Sequence, residues 1–276
     1  MTTHLLLIDP QNDFCDLPPD RCPAGEAPAL PVAGAHADLQ RVAAFIDAAG
    51  DQLDAITVTL DSHQRLDIAH PGFWQTGDGA AVAPFTSITA RDLRAGAFRT
   101  RDPAAAGRAQ AYVDALEARG RYTLMVWPVH CEIGSWGQAV HADVRAAYNR
   151  WEERRQRPVQ RLQKGANPWT EHYSAVMAEV PDAAEPDTGL NRALIDRLAP
   201  ATQLFVAGQA SSHCVRATTE HLVEHLGGDL QRVVLLTDGM SPVAGFEAHA
   251  ADFLAAMRRH ALQALSCAQA LNLLRD

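Results

Sequence analysis

Cysteine is sparse in this chain and spaced against pairing. The five thiols, at positions 15, 22, 131, 214 and 267 of 276 residues, are odd in number, far apart and free of any C-x-x-C. That pattern excludes a disulfide scaffold and a zinc ribbon and points to a reducing compartment. Long apolar runs are missing too, none approaching the ~20 residues of a membrane span. The first apolar run, Leu5-Leu6-Leu7-Ile8-Asp9, begins without a basic n-region, so a soluble, cytoplasmic protein is expected. Basic residues are in deficit: 24 Lys+Arg against 33 Asp+Glu leave a formal charge of -9 and a pI near 5.7. Nucleic acid and membrane are therefore not expected as partners, since both demand basic stripes that displace counterions. A small uncharged or cationic molecule suits the chain better. Even the densest basic run, Arg150 to Arg161, contains Glu152 and Glu153 in a helical pattern and reads as a solvated face. Internal repeats and low-complexity linkers are also lacking.

What is present is an alternation. At 47% hydrophobic, the chain is long enough for one large core, and a single domain over 1–276 is expected. Short apolar runs at 4–9, 55–60, 122–127, 203–207 and 232–237 read as buried parallel strands, with 159–162 a weaker one. Between them, 37–49, 140–153, 189–198, 214–226 and 246–259 carry apolar residues at threes and fours, as helices do. This β-α rhythm predicts an α/β fold: three layers (αβα), doubly wound, around a mainly parallel sheet. One interval breaks it. His70 to Arg121 separates two strand runs by about fifty residues, far beyond an ordinary loop. An insertion at about 72–121 is inferred, serving as a lid, a subunit contact or a mere surface excursion. Within it, Pro103 to Gly120 can form a helix with Ala109, Val113 and Leu116 on one side.

The chemistry-bearing residues gather at strand ends. Gly208-Gln209-Ala210-Ser211-Ser212-His213-Cys214 joins the run ending at Ala207 to a helix, placing a thiol at a helix N-terminus, where unpaired amides stabilise a thiolate. Asp9 ends the first strand and Lys164 follows another, so a carboxylate that can take the thiol's proton and an ammonium that can balance charge lie at the same sheet edge. Taken singly, Asp9 reads more readily as a loop cap and Lys164 as a surface charge; their joint occurrence at strand ends with Cys214 is the stronger signal. Asp61-Ser62-His63 and Trp127-Pro128-Val129-His130-Cys131 follow two further strand runs. Asp61, His63 and His130 make a plausible divalent-metal set that does not choose among Zn²⁺, Fe²⁺ and Mn²⁺. His70 is a candidate fourth ligand. A second histidine motif, His221-Leu222-Val223-Glu224-His225, matches the H-x-x-E-H of some zinc peptidases but lies two turns or more from the sheet edge, and reads as a solvated helix face.

Taken together, Asp9-Pro10-Gln11-Asn12-Asp13-Phe14, Asp61-Ser62-His63, Trp127-Pro128-Val129-His130-Cys131, Lys164-Gly165 with Glu171-His172-Tyr173-Ser174-Ala175, and Val206-Ala207-Gly208-Gln209-Ala210 running to Cys214-Val215 resemble the nicotinamidase branch of the isochorismatase-like cysteine hydrolases. The resemblance covers most of the chain outside 72–121. It implies a catalytic triad of Asp9, Lys164 and Cys214, an oxyanion hole from the amides of Ala210 and Cys214 after a cis peptide, and a metal, Zn²⁺ foremost, on Asp61, His63 and His130. Phe14, Trp127 and Tyr173 are the implied aromatic walls for a small amide substrate, and a homo-oligomer is implied as well. Gln209, bordering the implied pocket where the family usually has an aliphatic residue, is assigned to substrate binding, and Ser212 replaces a common acidic residue. The implied reaction is nicotinamide to nicotinate plus ammonia through a thioester on Cys214. A related hydrolase acting on another amide, carbamoyl compound or ureide is the alternative, and a non-catalytic metal- or partner-binding scaffold is the alternative from another class.

Overall fold

Period-two alternation of apolar side chains decides the architecture. A computed structural model describes residues 2–274. In chain order its elements are β1 (Thr3–Ile8), α1 (Ala35–Ala49), β2 (Ala55–Asp61), β3 (Trp74–Thr76), β4 (Thr86–Ile88), α2 (Ala90–Arg94), β5 (Phe98–Thr100), α3 (Ala106–Arg119), β6 (Leu124–Val126), α4 (Ala142–Arg155), β7 (Gln160–Lys164), α5 (Arg192–Leu198), β8 (Gln203–Gly208), α6 (Cys214–His225), β9 (Val233–Leu236), α7 (Glu247–Arg259), β10 (Gln263–Leu265) and α8 (Cys267–Leu273). Leu6, Ile8, Leu204, Val206, Val233 and Leu235 point to one face of the sheet and pack with α5, α6 and α7. Leu5, Leu7, Ile56, Val58, Phe205, Val234 and Leu236 point to the other, against α1, α4 and α8. Strands buried on both faces need helices on both faces, and three layers result.

The central sheet runs β10-β9-β8-β1-β2-β7, and every pairing in it is parallel. Numbered by their sequence order within this sheet, the strands follow 3-2-1-4-5-6 from β7 to β10. The direction of winding reverses between β1 and β8, and the crevice beyond the strand C-termini at such a switch point is where α/β folds bind ligands. Ile8 and Gly208, the last residues of these two strands, are register partners. A side chain at position 208 would collide with the Ile8 carbonyl, and its φ of +125° is one that only glycine adopts freely. The closest approach of the two strand ends therefore depends on this glycine.

One expected strand lies elsewhere. The run 122–127 is not in the central sheet; its core, β6, pairs antiparallel with β4, while β3 pairs antiparallel with β5. The run is buried because it joins a separate apolar cluster of Phe73, Trp74, Ile88, Tyr112, Val113, Leu116 and Val126, built from the stretch between Ile68 and Val126. Burial alone does not say which sheet a strand belongs to. The sixth central strand is instead the short β10, whose three residues are all only partly buried. The basic run of α4 is neutralised locally: Arg150, Arg154 and Arg155 pair with Asp47, Asp51 and Asp54. No described helix is long and apolar enough to cross a membrane.

Candidate active site

Four strand ends converge. Asp9 follows β1 in the left-handed region at φ 46°, Asp61 ends β2, Lys164 ends β7, and Cys214 opens α6 after β8. Asp61 and Lys164 are register partners on adjacent strands, so the topology alone brings them together. All four are buried, Asp9 completely.

Lys164 is the hub. Its Nζ lies 2.9 Å from Asp9 Oδ2 and 3.0 Å from Asp61 Oδ1, and donates to the His172 carbonyl at 2.9 Å. It donates also to Asp61 Oδ1, with Asp9 Oδ2 held as an ion-pair neighbour, an arrangement suited to a compact ammonium and not to a planar guanidinium. Cys214 Sγ sits 3.6 Å from the same nitrogen. Oxygens of Asp9 and Asp61 and the Cys214 sulfur lie within 4.8 Å of one another. Thr59 fixes the Asp9 carboxylate from behind, donating through Oγ1 to Oδ1 at 2.6 Å while accepting from the Asp9 amide at 3.0 Å.

The charges are arranged for proton exchange. Burial raises the Asp9 pKa, as does Asp61, while Lys164 and Thr59 oppose the rise. Burial and the neighbouring carboxylates push the Cys214 thiol well above its usual range, against the pull of Lys164. Burial works against the Lys164 ammonium, but Asp61 and Asp9 outweigh it and hold the group charged. A neutral thiol beside the Asp9 carboxyl group, with one fixed cation against both, is the resting pattern.

A second centre adjoins the first. His63, His70 and His130 are buried and bring ring nitrogens within 4.8 Å of one another. Asp61 belongs to both centres: its Oδ2 is 3.1 Å from His63 Nε2 and 3.6 Å from His130 Nε2. The outer nitrogens are held, His63 Nδ1 by Asp67 Oδ2 at 3.1 Å and His130 Nδ1 by the Pro128 carbonyl at 2.8 Å, as in histidines oriented toward a cation. His70 Nδ1 is buried without a partner, and burial lowers that ring's pKa to about 4, keeping it neutral. Burial disfavours a charged His63, yet Asp61 and Asp67 raise its pKa well above the ordinary range, so this corner attracts positive charge. Three imidazoles, one carboxylate and an orphaned ring nitrogen fit a divalent cation. Glu171, with its Oε2 unpartnered, is also buried; burial lifts its pKa to about 8, and His63 opposes that rise.

Aromatic rings wall the site. Phe14 meets His130 edge-on at 5.4 Å, and Trp127 Nε1 donates to the Tyr173 hydroxyl at 3.0 Å. His213 stands among Trp127, Tyr173 and Phe246 at centroid distances of 5.1, 5.2 and 4.7 Å. A cavity of about 390 Å³ adjoins these rings, lined by Tyr122, Met125, Tyr173, His213, Phe246 and His249. Residues of the 72–121 stretch reach the site here, where Phe85 packs edge-on against Trp127 and the Glu171 amide donates to the Tyr112 hydroxyl.

A cis peptide joins Gln209 to Ala210. The Cys214 amide is the first of α6 and has no acceptor within its own helix. Gln209 itself departs from its expected place on the substrate wall. Its fully buried side chain donates through Nε2 to Asp38 Oδ2 on α1 at 3.1 Å. The other histidine motif is spent on structure: Arg121 Nη1 donates to His221 Nε2 at 2.6 Å, occupying the lone pair a metal would need. Thr59, Asp67 and Phe246 lie outside every sequence motif, whereas Glu171 and His213 lie within motifs that assign them no role. Asp67, four residues beyond His63, carries a local hint.

No protein-family model matches the sequence, and no curated protein matches it either. Solved structures do. A yeast nicotinamidase aligns with a TM-score of 0.64 at 18% identity, covering 96% of this chain and 99% of that one. A Pyrococcus horikoshii pyrazinamidase in complex with zinc gives 0.56 at 19% identity, over 96% and 99%. An isochorismatase-like hydrolase from Alkaliphilus metalliredigens gives 0.54 at 14% identity, over 99% of both chains. Together with the parallel six-stranded sheet, these likenesses show that the chain has the isochorismatase-like α/β fold shared by nicotinamidases and pyrazinamidases.

Proposed function

We propose that this protein is a cysteine amidohydrolase that converts a small aromatic amide, nicotinamide foremost, into its acid and ammonia. The single observation that carries the reading is the buried Asp9–Lys164–Cys214 constellation, in which one ammonium touches both the carboxylate and the sulfur. The fold shared with nicotinamidases and a pyrazinamidase supports the choice of substrate.

In this reading Asp9 accepts the Cys214 proton and the thiolate attacks the amide carbonyl carbon. The amides of Ala210 and Cys214 receive the developing oxyanion, a contribution of ~3 kcal/mol per donor where geometry is right. Asp9 returns the proton to the leaving nitrogen, and ammonia departs. The same carboxylate then takes a proton from water, which attacks the thioester, and the acid leaves as the thiol re-forms. Lys164 stays charged throughout and offsets whichever of Asp9 and Cys214 is the anion. Phe14, Trp127 and Tyr173 hold a flat ring by stacking. Asp61, His63, His70 and His130 would hold a divalent cation, Zn²⁺ by preference and Fe²⁺ or Mn²⁺ otherwise. When bound, such an ion supplies Lewis-acid polarisation or an anchor for a ring nitrogen. A larger aromatic amide is the second reading, favoured by the cavity beside Tyr173 and His213.

An aldehyde analogue of the amide, pyridine-3-carbaldehyde, tests the nucleophile without requiring turnover. It should form a reversible thiohemiacetal with Cys214, seen with a ¹³C-labelled aldehyde carbon as a bound sp³ carbon signal in the NMR spectrum of the complex. A signal equally present in Cys214→Ala, or absent from both proteins, would contradict the reading.

A further inference from the structure

The turn that carries the thiol and both oxyanion donors is tied to the far side of the sheet by a buried polar chain. Backbone bonds zip it to the loop after β9: Gly208 N donates to the Gly239 carbonyl at 3.0 Å and Ser211 N to the Ser241 carbonyl at 2.9 Å. The Gln209 side chain adds a tie that the backbone lacks. Its Oε1 accepts from Ser241 N at 3.2 Å and its Nε2 donates to Asp38 Oδ2 at 3.1 Å. Asp38 is held in turn, with Oδ1 accepting from Arg41 Nη2 at 2.6 Å, and Arg41 Nε donates to the Asp238 carbonyl at 2.6 Å. Thus α1, the 208–214 turn and the 238–241 loop are locked by one fully buried amide and one buried carboxylate.

Stability alone does not account for such a chain. Burying an amide against a carboxylate costs desolvation, and an apolar pair of similar shape is commonly as stable or more so. What polar partners add is direction: an amide with both ends bonded has one allowed rotamer and fixes the backbone that bears it. We propose that Gln209 and Asp38 are positioning residues, which hold the Ala210 and Cys214 amides in register with the Asp9–Lys164 pair without touching substrate. The inference deepens the amidohydrolase reading and rests on it for its kinetic consequence, but not for its structural one.

Hydrogen exchange of the peptide spanning 208–214 reads the structural consequence without any substrate. Gln209→Leu and Asp38→Leu should each raise exchange in that peptide by about 10-fold or more while β1 and β2 stay as protected as in the parent, the behaviour of a local opening. In the kinetic arm, Gln209→Leu should lower kcat for nicotinamide by about 10- to 100-fold with KM within about two-fold, the pattern of lost transition-state stabilisation. Gln209→Glu alone sets two carboxylates together and should be worse. Combined with Asp38→Asn it restores an amide–carboxylate pair with the roles exchanged, and should recover most of the lost turnover and protection. Unchanged exchange at 208–214 in both leucine variants overturns the proposal, as does a rise in KM at constant kcat or a failure of the exchanged pair to rescue. Loosened exchange in the leucine variants of a parent protein that hydrolyses no amide would overturn the amidohydrolase reading and leave the positioning role standing.

Discussion

Asp61 divides the site into two halves that solve the same electrostatic problem differently. On its Oδ1 side the protein provides its own cation, Lys164, buried and held charged by Asp9 and Asp61. On its Oδ2 side it provides only ligands: His63, His70 and His130, with carboxylates at both nitrogens of His63. In the lysine half the one ammonium contacts both carboxylates, the His172 carbonyl and the Cys214 sulfur. The histidine half has an orphaned ring nitrogen and a pull on protons that a divalent ion would satisfy better. Under the proposed function the lysine half holds the chemistry and the histidine half would hold a divalent ion.

Variants separate the halves. The largest effect is expected for Cys214→Ala, which should reduce turnover by at least ~10⁴-fold, as loss of a nucleophile does. Bound zinc, measured by elemental analysis after dialysis, should stay at the parent level. Asp61→Asn should strike both halves, lowering zinc affinity and turnover each by about 100-fold; loss of only one would show that the shared carboxylate couples nothing. Asp67→Asn, behind His63, should weaken zinc binding by about 10- to 100-fold. Alkylation of Cys214 by iodoacetamide should keep its rate in that variant, and a change there would merge the two halves. Smallest is His225→Ala, on the outer turn of α6: zinc stoichiometry should not change, and thermal stability should shift by no more than about 0.5 kcal/mol. A lost equivalent of zinc would reinstate the helical histidine pair as a site.

Much of this arrangement was legible because buried parallel strands are short apolar runs and their C-terminal ends are where chemistry sits. Asp9, Asp61, Lys164 and Cys214 each terminate such a run or follow it by a single turn. Lys164 carried a further signal that motif reading passes over: it is the only lysine among the 24 basic residues, every other one being arginine. A chain that uses arginine everywhere else and lysine once has placed it where a compact ammonium is required. The run 122–127 reads as a central strand because an apolar run reports burial and not partners; β6 instead pairs with β4 and is buried in the cluster of Trp74, Ile88 and Val113. Gln209 was misplaced for a related reason. Sequence adjacency to Ala210 put it at the pocket, whereas its partner Asp38 lies 171 residues away on α1. Asp67 and Thr59 act on His63 and Asp9 from behind, and such supporting contacts follow from tertiary packing rather than from spacing.

The central claim is that Cys214 hydrolyses an amide, and ammonia release from nicotinamide by zinc-loaded protein tests it most directly. The account expects catalytic release of ammonia with equimolar nicotinate, lost in Cys214→Ala protein that still binds zinc. Release that persists in Cys214→Ala, or no release from nicotinamide or any larger aromatic amide by folded, zinc-loaded protein, would contradict it.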